Sequence, residues 1–404
     1  MYHPDKKILS TYADVLVNFA LGGGRGIRKG DVVYVAAYEY SKPLYVEILR
    51  AITRAGGNTI SHYMPNVDRA FDITRDFYAN ARAHQINFFP GKYLRGLIDE
   101  IDHSIFILSD TDMEALKGIP PAKIMAQSKA FKPYREWREE KENKGKFSWT
   151  LALYGTEAMA REAGLSEKEY WDQIINACFL KDKNPIATWR RVEKEIAAYR
   201  KRLDALHIKS VHVKGPDADL RIVIGKKRRW EGGGGANIPS FEIFTSPDWR
   251  GTNGWMRFNN PVYTQGHLIS GIFLEFKNGI VVNAKAKKNG KFLKEFIKVS
   301  GANRLGEFSM TDRRFSRITK FMAETLYDEN IGGPHGNMHI ALGNSFHSCY
   351  DGNPARVKRS TWEKLGFNDS AMHQDIVSTS PRTIIATLSD GRERVIYKDG
   401  MLIL

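Results

Sequence analysis

The chain reads as an α/β domain with a largely parallel sheet followed by an antiparallel, β-rich domain. Over residues 1–110, short apolar runs alternate with amphipathic helical stretches, the pattern of strand–helix–strand units. Beyond about residue 208 the helical period gives way to short β-rich runs punctuated by turn signals. At 404 residues the chain is also longer than one ordinary core supports, so two domains are expected, 1–208 and 209–404.

The elements follow in order. LSTYADVLVNFAL has helical spacing, and KGDVVYVAAY is a turn followed by a buried strand. SKPLYVEILRAITRAGG is a helix closed by glycine, and NTISHYM and HSIFILS are the next strands. PPAKIMAQSKAFKPYREWREEK is expected to be one long charged helix. FSWTLALYGTEAMAREAGLS returns to strand and then helix, with Gly155 or Thr156 at the helix start. Residues 166–206 are helical, and Pro185 is well placed to open a helix because a first-turn residue needs no amide hydrogen. DLRIVIG, FEIFTSP, GWMRFN and HLISGIFLEFKNGIVVNAKA then supply the β-rich half. No fixed-period repeat is present, which argues against a solenoid.

Composition narrows the function. Hydrophobic residues make up 42% and charged residues 26%, as in a water-soluble globular chain. No stretch approaches a membrane span, and the N-terminus lacks the apolar core of a secretion signal. Cys178 and Cys349 stand alone and far apart, so a reducing, cytoplasmic setting is expected. The net charge is +15, but the cations are interleaved with acids, as in TWRRVEKEIAAYRKR. That alternation marks solvated helix faces rather than a nucleic-acid surface, and no nucleic-acid partner is expected. GGGRG at 22–26 follows a helix and precedes a strand, the reverse of a dinucleotide fingerprint, so no nucleotide site is assigned to it.

The residues that carry chemistry lie in the C-terminal half: Glu242, Glu307, His339, His373 and Asp375. Three carboxylates and two imidazoles are more than a single ion needs, whereas two divalent ions with a bridging carboxylate use them all. In a strand, His373 and Asp375 face the same side and can grip an ion together. Four of the eleven histidines, His335, His339, His347 and His373, crowd into this region. Glu307 follows Gly306, where a tight turn can aim it. A metal-dependent hydrolase is the chemistry that fits, because paired ions acidify a water and clamp both reacting oxygens.

NIPSFEIFTSP, GHLISGIFLEFKNG, GANRLGEF, TLYDEN, HIALGNSF and HQDIV, in that order, resemble the M29 metallopeptidases, the thermophilic-type aminopeptidases. WTLALYGTEAMAREAGLS, the Trp189 region and GPDADLRIVIG extend the likeness over essentially the whole chain. The resemblance implies two divalent metals, zinc, cobalt or manganese, in a homodimer acting on peptide N-termini. It also implies that Glu242, Glu307, His339, His373 and Asp375 are the ligands, with Asp375 as the bridge. Glu307, ahead of Glu242, is expected to move the proton to the leaving amine. The family carries a tyrosine where this chain has Phe346, which can neither ligate nor donate a hydrogen bond. Tyr350 or His347 is a candidate to replace it, and the insert GGPHGN at 332–337 is expected to bear on the entrance. Two alternatives remain: a mononuclear-iron ring-cleaving dioxygenase using His339, His373 and Asp375, and a catalytically degenerate metal-binding module.

Overall fold

The computed structural model describes residues 2–66 and 72–404. Strands β1 (Val32–Tyr38), β2 (Asn58–Met64), β3 (His103–Leu108) and β4 (Ser148–Leu153) form a parallel sheet in the order β2-β1-β3-β4. β1 is a continuous apolar run because both of its faces are covered, as parallel sheets require. The crossover helix Lys42–Arg54 buries Leu44, Ile48, Ala51 and Ile52, a single stripe at helical spacing. β2 is the edge strand and is largely exposed. The expected helix over 120–141 is instead two, Pro121–Ala130 and Lys132–Asn143. Pro133, in the first turn of the second helix, has no amide hydrogen to continue the first one.

The amino ends of these strands are stitched by polar groups. Gly22 N–H donates to Ser148 Oγ (2.9 Å), Ser148 pairs with His103 Nδ1 (2.8 Å), and His103 Nε2 meets Asp31 (2.9 Å). The glycine run thus ends a helix and packs on the sheet. Helix Pro185–Ala205 begins as expected, with Asn184 capping the Ala187 amide. Its Trp189 stacks on Phe19 and on Phe241 (centroids 5.9 and 5.4 Å), tying the first half of the chain to the residue before Glu242.

From Ile208 onward most pairing is antiparallel. β5 (Ile208–Gly215) and β6 (Ala218–Val223) start an eight-stranded sheet, and β7 (Asn237–Ile238) crosses back to pair parallel with β4. β8 (Glu242–Thr245) follows, then β9 (Asn253–Arg257), the hairpin β10 (Val262–Thr264) and β11 (His267–Ile269), β12 (Phe273–Lys277) and β13 (Ile280–Lys285). β14 (Leu305–Thr311), β15 (Asn337–Gly343) and β16 (His373–Ser378) join β8 in a four-stranded antiparallel sheet of order β16-β15-β14-β8. β17 (Thr383–Leu388), β18 (Glu393–Lys398) and β19 (Met401–Leu402) complete the larger sheet.

β14 and β15 are buried along their full length. Residues opposite one another in an antiparallel sheet share a face, and here the two faces differ sharply. Ile243, Phe308, Met310, Met338, Ile340, Leu342 and Ile376 form the apolar face and anchor the sheet in the core. The other face carries the acids and histidines.

Candidate metal centre

The four strands deliver the expected residues to one spot. Glu242 comes from β8, Glu307 from β14, His339 from β15, and His373 and Asp375 from β16. Glu307 shares this face with Ser309 and Thr311 by alternation and directly follows a β-bulge, the register shifting between Leu305 and Glu307. The bulge depends on Gly306: a Cβ there would sit 2.3 Å from the Asn344 carbonyl oxygen. The carboxylate is therefore aimed from a bulged strand, where a tight turn was expected.

His339 Nε2 lies 3.2 Å from Glu307 Oε1, 3.3 Å from Glu242 Oε2 and 3.8 Å from Asp375 Oδ1. His373 Nε2 lies 3.4 Å from both Glu307 Oε2 and Asp375 Oδ1. Each oxygen of Glu307 thus faces a different imidazole. His373 Nδ1–H donates to the Asn344 carbonyl (2.8 Å), which points Nε2 toward the carboxylates, where an ion would displace its proton and be bound. Ser309 Oγ–H donates to Glu242 Oε2 (2.8 Å) and fixes that side chain.

A further residue joins them. Glu329, in the turn after the short helix Thr325–Asp328, brings a carboxylate oxygen within 4.8 Å of a His339 nitrogen and an Asp375 oxygen. Asn237 Nδ2 donates to its Oε1 at 3.1 Å. Glu329 lies within the TLYDEN stretch, where Asp328-Glu329-Asn330 places three polar residues after an apolar run. That local oddity was the available signal. Its burial and its place in the cluster come from long-range packing and leave no mark on the sequence.

Glu242, Glu307, Glu329 and His339 are almost fully enclosed, while the His373 and Asp375 side chains keep 22% and 17% exposure and form the open side. Burial pushes Glu242 up to about 7, with His339 opposing and Glu307 adding to the rise. Burial, reinforced by Glu242, Asp375 and Glu307, lifts Glu329 well above the carboxylate range. For the imidazoles burial pulls the other way, but the carboxylates prevail: His339 rises to about 9 and His373 well above its ordinary value. Asp375 is raised by burial, yet His373 and His339 bring it below the usual carboxylate value. Four carboxylates packed this tightly repel one another unless protons or cations intervene.

The donor set fits divalent ions. It offers oxygen and imidazole nitrogen without thiolate, as zinc, cobalt or manganese accept. Asp375 Oδ1 and His339 Nδ1 are buried without a hydrogen-bond partner. The ligand atoms fall into three overlapping groups, Glu242–Glu307–His339, Glu307–His373–Asp375 and Glu329–His339–Asp375.

Phe346 packs its ring 4.7 Å from His373 and 5.8 Å from Phe244, making an apolar wall on the open side. The two candidates to replace a tyrosine there, His347 and Tyr350, are engaged elsewhere. His347 stacks on Trp362 at 3.9 Å with its Nδ1 3.0 Å from Glu139, and Tyr350 packs edge-on to Trp362 at 5.2 Å. In the 332–337 insert, the Pro334 and His335 carbonyls accept hydrogen bonds from Arg313 and Tyr397, so this segment is held against β18.

Comparison with known proteins agrees with this geometry. Residues 5–402 match the family described as thermophilic metalloprotease (M29). Aminopeptidase T of Thermus thermophilus is 28% identical over 72% of this chain and 74% of its own length. Aminopeptidase AmpS of Bacillus subtilis is 25% identical over 97% of each chain. The solved structure of wild-type AmpT from Thermus thermophilus superposes with a TM-score of 0.81 at 23% identity, covering 99% of this chain and 100% of that one. A 2,5-dihydroxypyridine dioxygenase from Pseudomonas putida KT2440 shares the fold more distantly, with a TM-score of 0.54 at 13% identity.

Proposed function

The chain belongs to the M29 family of thermophilic metalloproteases, and from that premise we propose that it is a two-metal aminopeptidase releasing N-terminal residues from peptides. The observation that carries the reading is the convergence of four carboxylates and two imidazoles on one sheet face. A single-iron triad of His339, His373 and Asp375 would leave Glu242, Glu307 and Glu329 buried and without purpose. The proposal includes the division into an N-terminal domain, 1–208, and a metal-bearing domain, 209–404. It also includes a cytoplasmic, homodimeric enzyme.

Glu242, Glu307, Glu329, His339, His373 and Asp375 would hold the ions. When bound, a pair of divalent ions supplies an acidified water and polarises the scissile carbonyl. Glu307, whose two oxygens face different imidazoles, and Asp375, which belongs to two of the ligand groups, would both be shared between the ions, Glu307 engaging through both oxygens. A bridging carboxylate has no free oxygen for proton traffic. Glu242, its Oε2 held by the Ser309 hydroxyl, would then be the carboxylate that passes the proton to the leaving amine. His373 and Asp375, on the open side, are the ligands a peptide N-terminus reaches first. Phe346 and Phe244 give that approach an apolar wall and keep water from it.

The test uses protein stripped of metal and resupplied with zinc, cobalt or manganese, assayed on aminoacyl chromogenic substrates and short peptides. Metal-restored release of N-terminal residues, with two equivalents bound, is the expected result. Oxygen uptake with a dihydroxypyridine and one equivalent of iron would replace this reading with the dioxygenase one. Silence on both, with metal still bound, would leave a metal-binding module.

A further inference from the structure

The parallel sheet holds a second candidate site, remote in composition from the metal centre. The chain passes from β1 to β2 on one side of the sheet and reaches β3 on the other side of β1. Loops leaving the carboxyl ends of β1 and β3 therefore diverge, and in open parallel sheets the crevice at such a switch point is where ligands bind. A cavity of about 230 Å³ occupies this position, lined among others by Tyr38, Ser109, Asp110, Asp112, Tyr263 and Gln265. A groove of about 390 Å³ adjoins it, sharing Leu116 and Gln265 and lined by Ile73, Phe77, Tyr78 and Ile124. None of the six clustered metal-site residues lines either space.

Two observations indicate what chemistry the crevice takes. Ser109 is only 3% exposed, yet its Oγ has no hydrogen-bond partner. Gln265 Oε1 is likewise buried and unpartnered, while the amide nitrogen of the same side chain donates to Ser128 Oγ and fixes its orientation. An amide oxygen can only accept, and a native fold seldom leaves such a group unsatisfied without a ligand or solvent role. The Asp110 residue keeps an exposed edge, but the protein around it raises its carboxyl above the usual range. Asp112 adds a second carboxylate to the lining. The polar part thus offers two unpartnered buried oxygens beside two carboxyl groups, and the adjoining groove is largely apolar.

We propose that this crevice binds a primary amine with an apolar tail, the ammonium group among Asp110, Asp112, Ser109 and Gln265 and the tail along Ile73, Phe77 and Ile124. The site is separate from catalysis and stands or falls independently of it.

The test is calorimetric titration of the full-length protein with 2-phenylethylamine, which contains no peptide bond to cleave. One saturable site is expected. Asp110→Asn should weaken binding about tenfold or more, since it removes a charge-assisted hydrogen bond. Gln265→Leu should weaken it as well, and Glu307→Gln, at the metal centre, should leave it unchanged. Neutral 2-phenylethanol should bind far more weakly. Absence of saturation at concentrations on the order of 10 mM, beyond the weak end of specific binding, would overturn the assignment. So would indifference to Asp110→Asn, equal binding of the alcohol, or loss of the site in Glu307→Gln.

Discussion

Glu329→Gln separates a metal ligand from a bystander, because it should act in opposite directions with and without metal. The glutamine keeps the shape and can still accept from Asn237 Nδ2, so packing is conserved. In the metal-loaded protein the variant loses one negative charge beside the ions. Two unit charges about 4 Å apart interact by about 4 kcal/mol at an effective dielectric near 20, and a divalent ion doubles that gross attraction. Desolvation offsets much of it, leaving on the order of 3–4 kcal/mol, or about 10²–10³ in metal affinity. In the metal-free protein the sign reverses. The folded-state pKa of Glu329 is raised, first by burial and then by Glu242, Asp375 and Glu307. A raised carboxyl contributes stability that is fully present below its unfolded pKa and lost as pH climbs toward the folded value. Glutamine mimics the protonated form and has no proton to lose. Urea denaturation of the metal-free variant should therefore show a shallower decline between pH 6 and 8 than the parent. A zinc affinity, from chelator competition, within about threefold of the parent would refute the ligand assignment, since that is under 1 kcal/mol.

Phe346→Tyr should raise kcat on aminoacyl substrates by about 10- to 100-fold, because a hydroxyl near a developing oxyanion is worth up to that much or more; an unchanged or lower kcat would show that the chain has found another donor. Glu307→Gln should lose metal and activity together, whereas Glu242→Gln, resupplied with metal to saturation, should still lose about 10²-fold or more in kcat; metal-content analysis beside steady-state rates checks the pair, and the reverse pattern would exchange their roles. Burial, with Asp110 adding to it, pushes Glu324 up to about 8. Its folded state therefore holds a proton that the unfolded state releases above about pH 4.3, and stability falls as pH rises from there toward 8. Glu324→Gln should stabilise the protein at pH 8 by up to about 5 kcal/mol at the ceiling of 1.36 per pKa unit, and much less at pH 5, as read by chemical denaturation.

What the sequence disclosed about the fold was whatever local rules determine. β1 declares itself by its apolar β-branched run, Lys42–Arg54 by its single buried stripe, and Pro185–Ala205 by Asn184 and Pro185. The break at Phe131 was also present in the sequence, as Pro133, but the surrounding charge pattern continues across it and hides it. β7 is a different case. Two residues adding themselves to a sheet built some 90 positions earlier obey no local rule, and long-range contacts such as the packing of Phe241 on Trp189 place that segment.

The site divides along the same line. Glu242, Glu307, His339, His373 and Asp375 lie on strands, where alternation decides which side chains share a face, so their types and spacing were informative. Gly306 was read as a turn and is a bulge, and Glu307 just after it keeps the alternation that puts it with Ser309 and Thr311 on the acidic face. Glu329 follows no strand period, since it hangs from the end of a four-residue helix and is held there by Asn237, itself part of the strand that crosses to the N-terminal sheet. The sixth carboxylate or imidazole of the cluster is therefore positioned by contact between the two halves of the chain. It follows that disturbing β7 should loosen the metal site without touching any of the strand-borne ligands. Asn237→Ala should reproduce part of the metal-affinity loss of Glu329→Gln, by about tenfold, as expected when a group orienting a ligand is removed. Full affinity in Asn237→Ala would mean that Glu329 is held by its own turn alone.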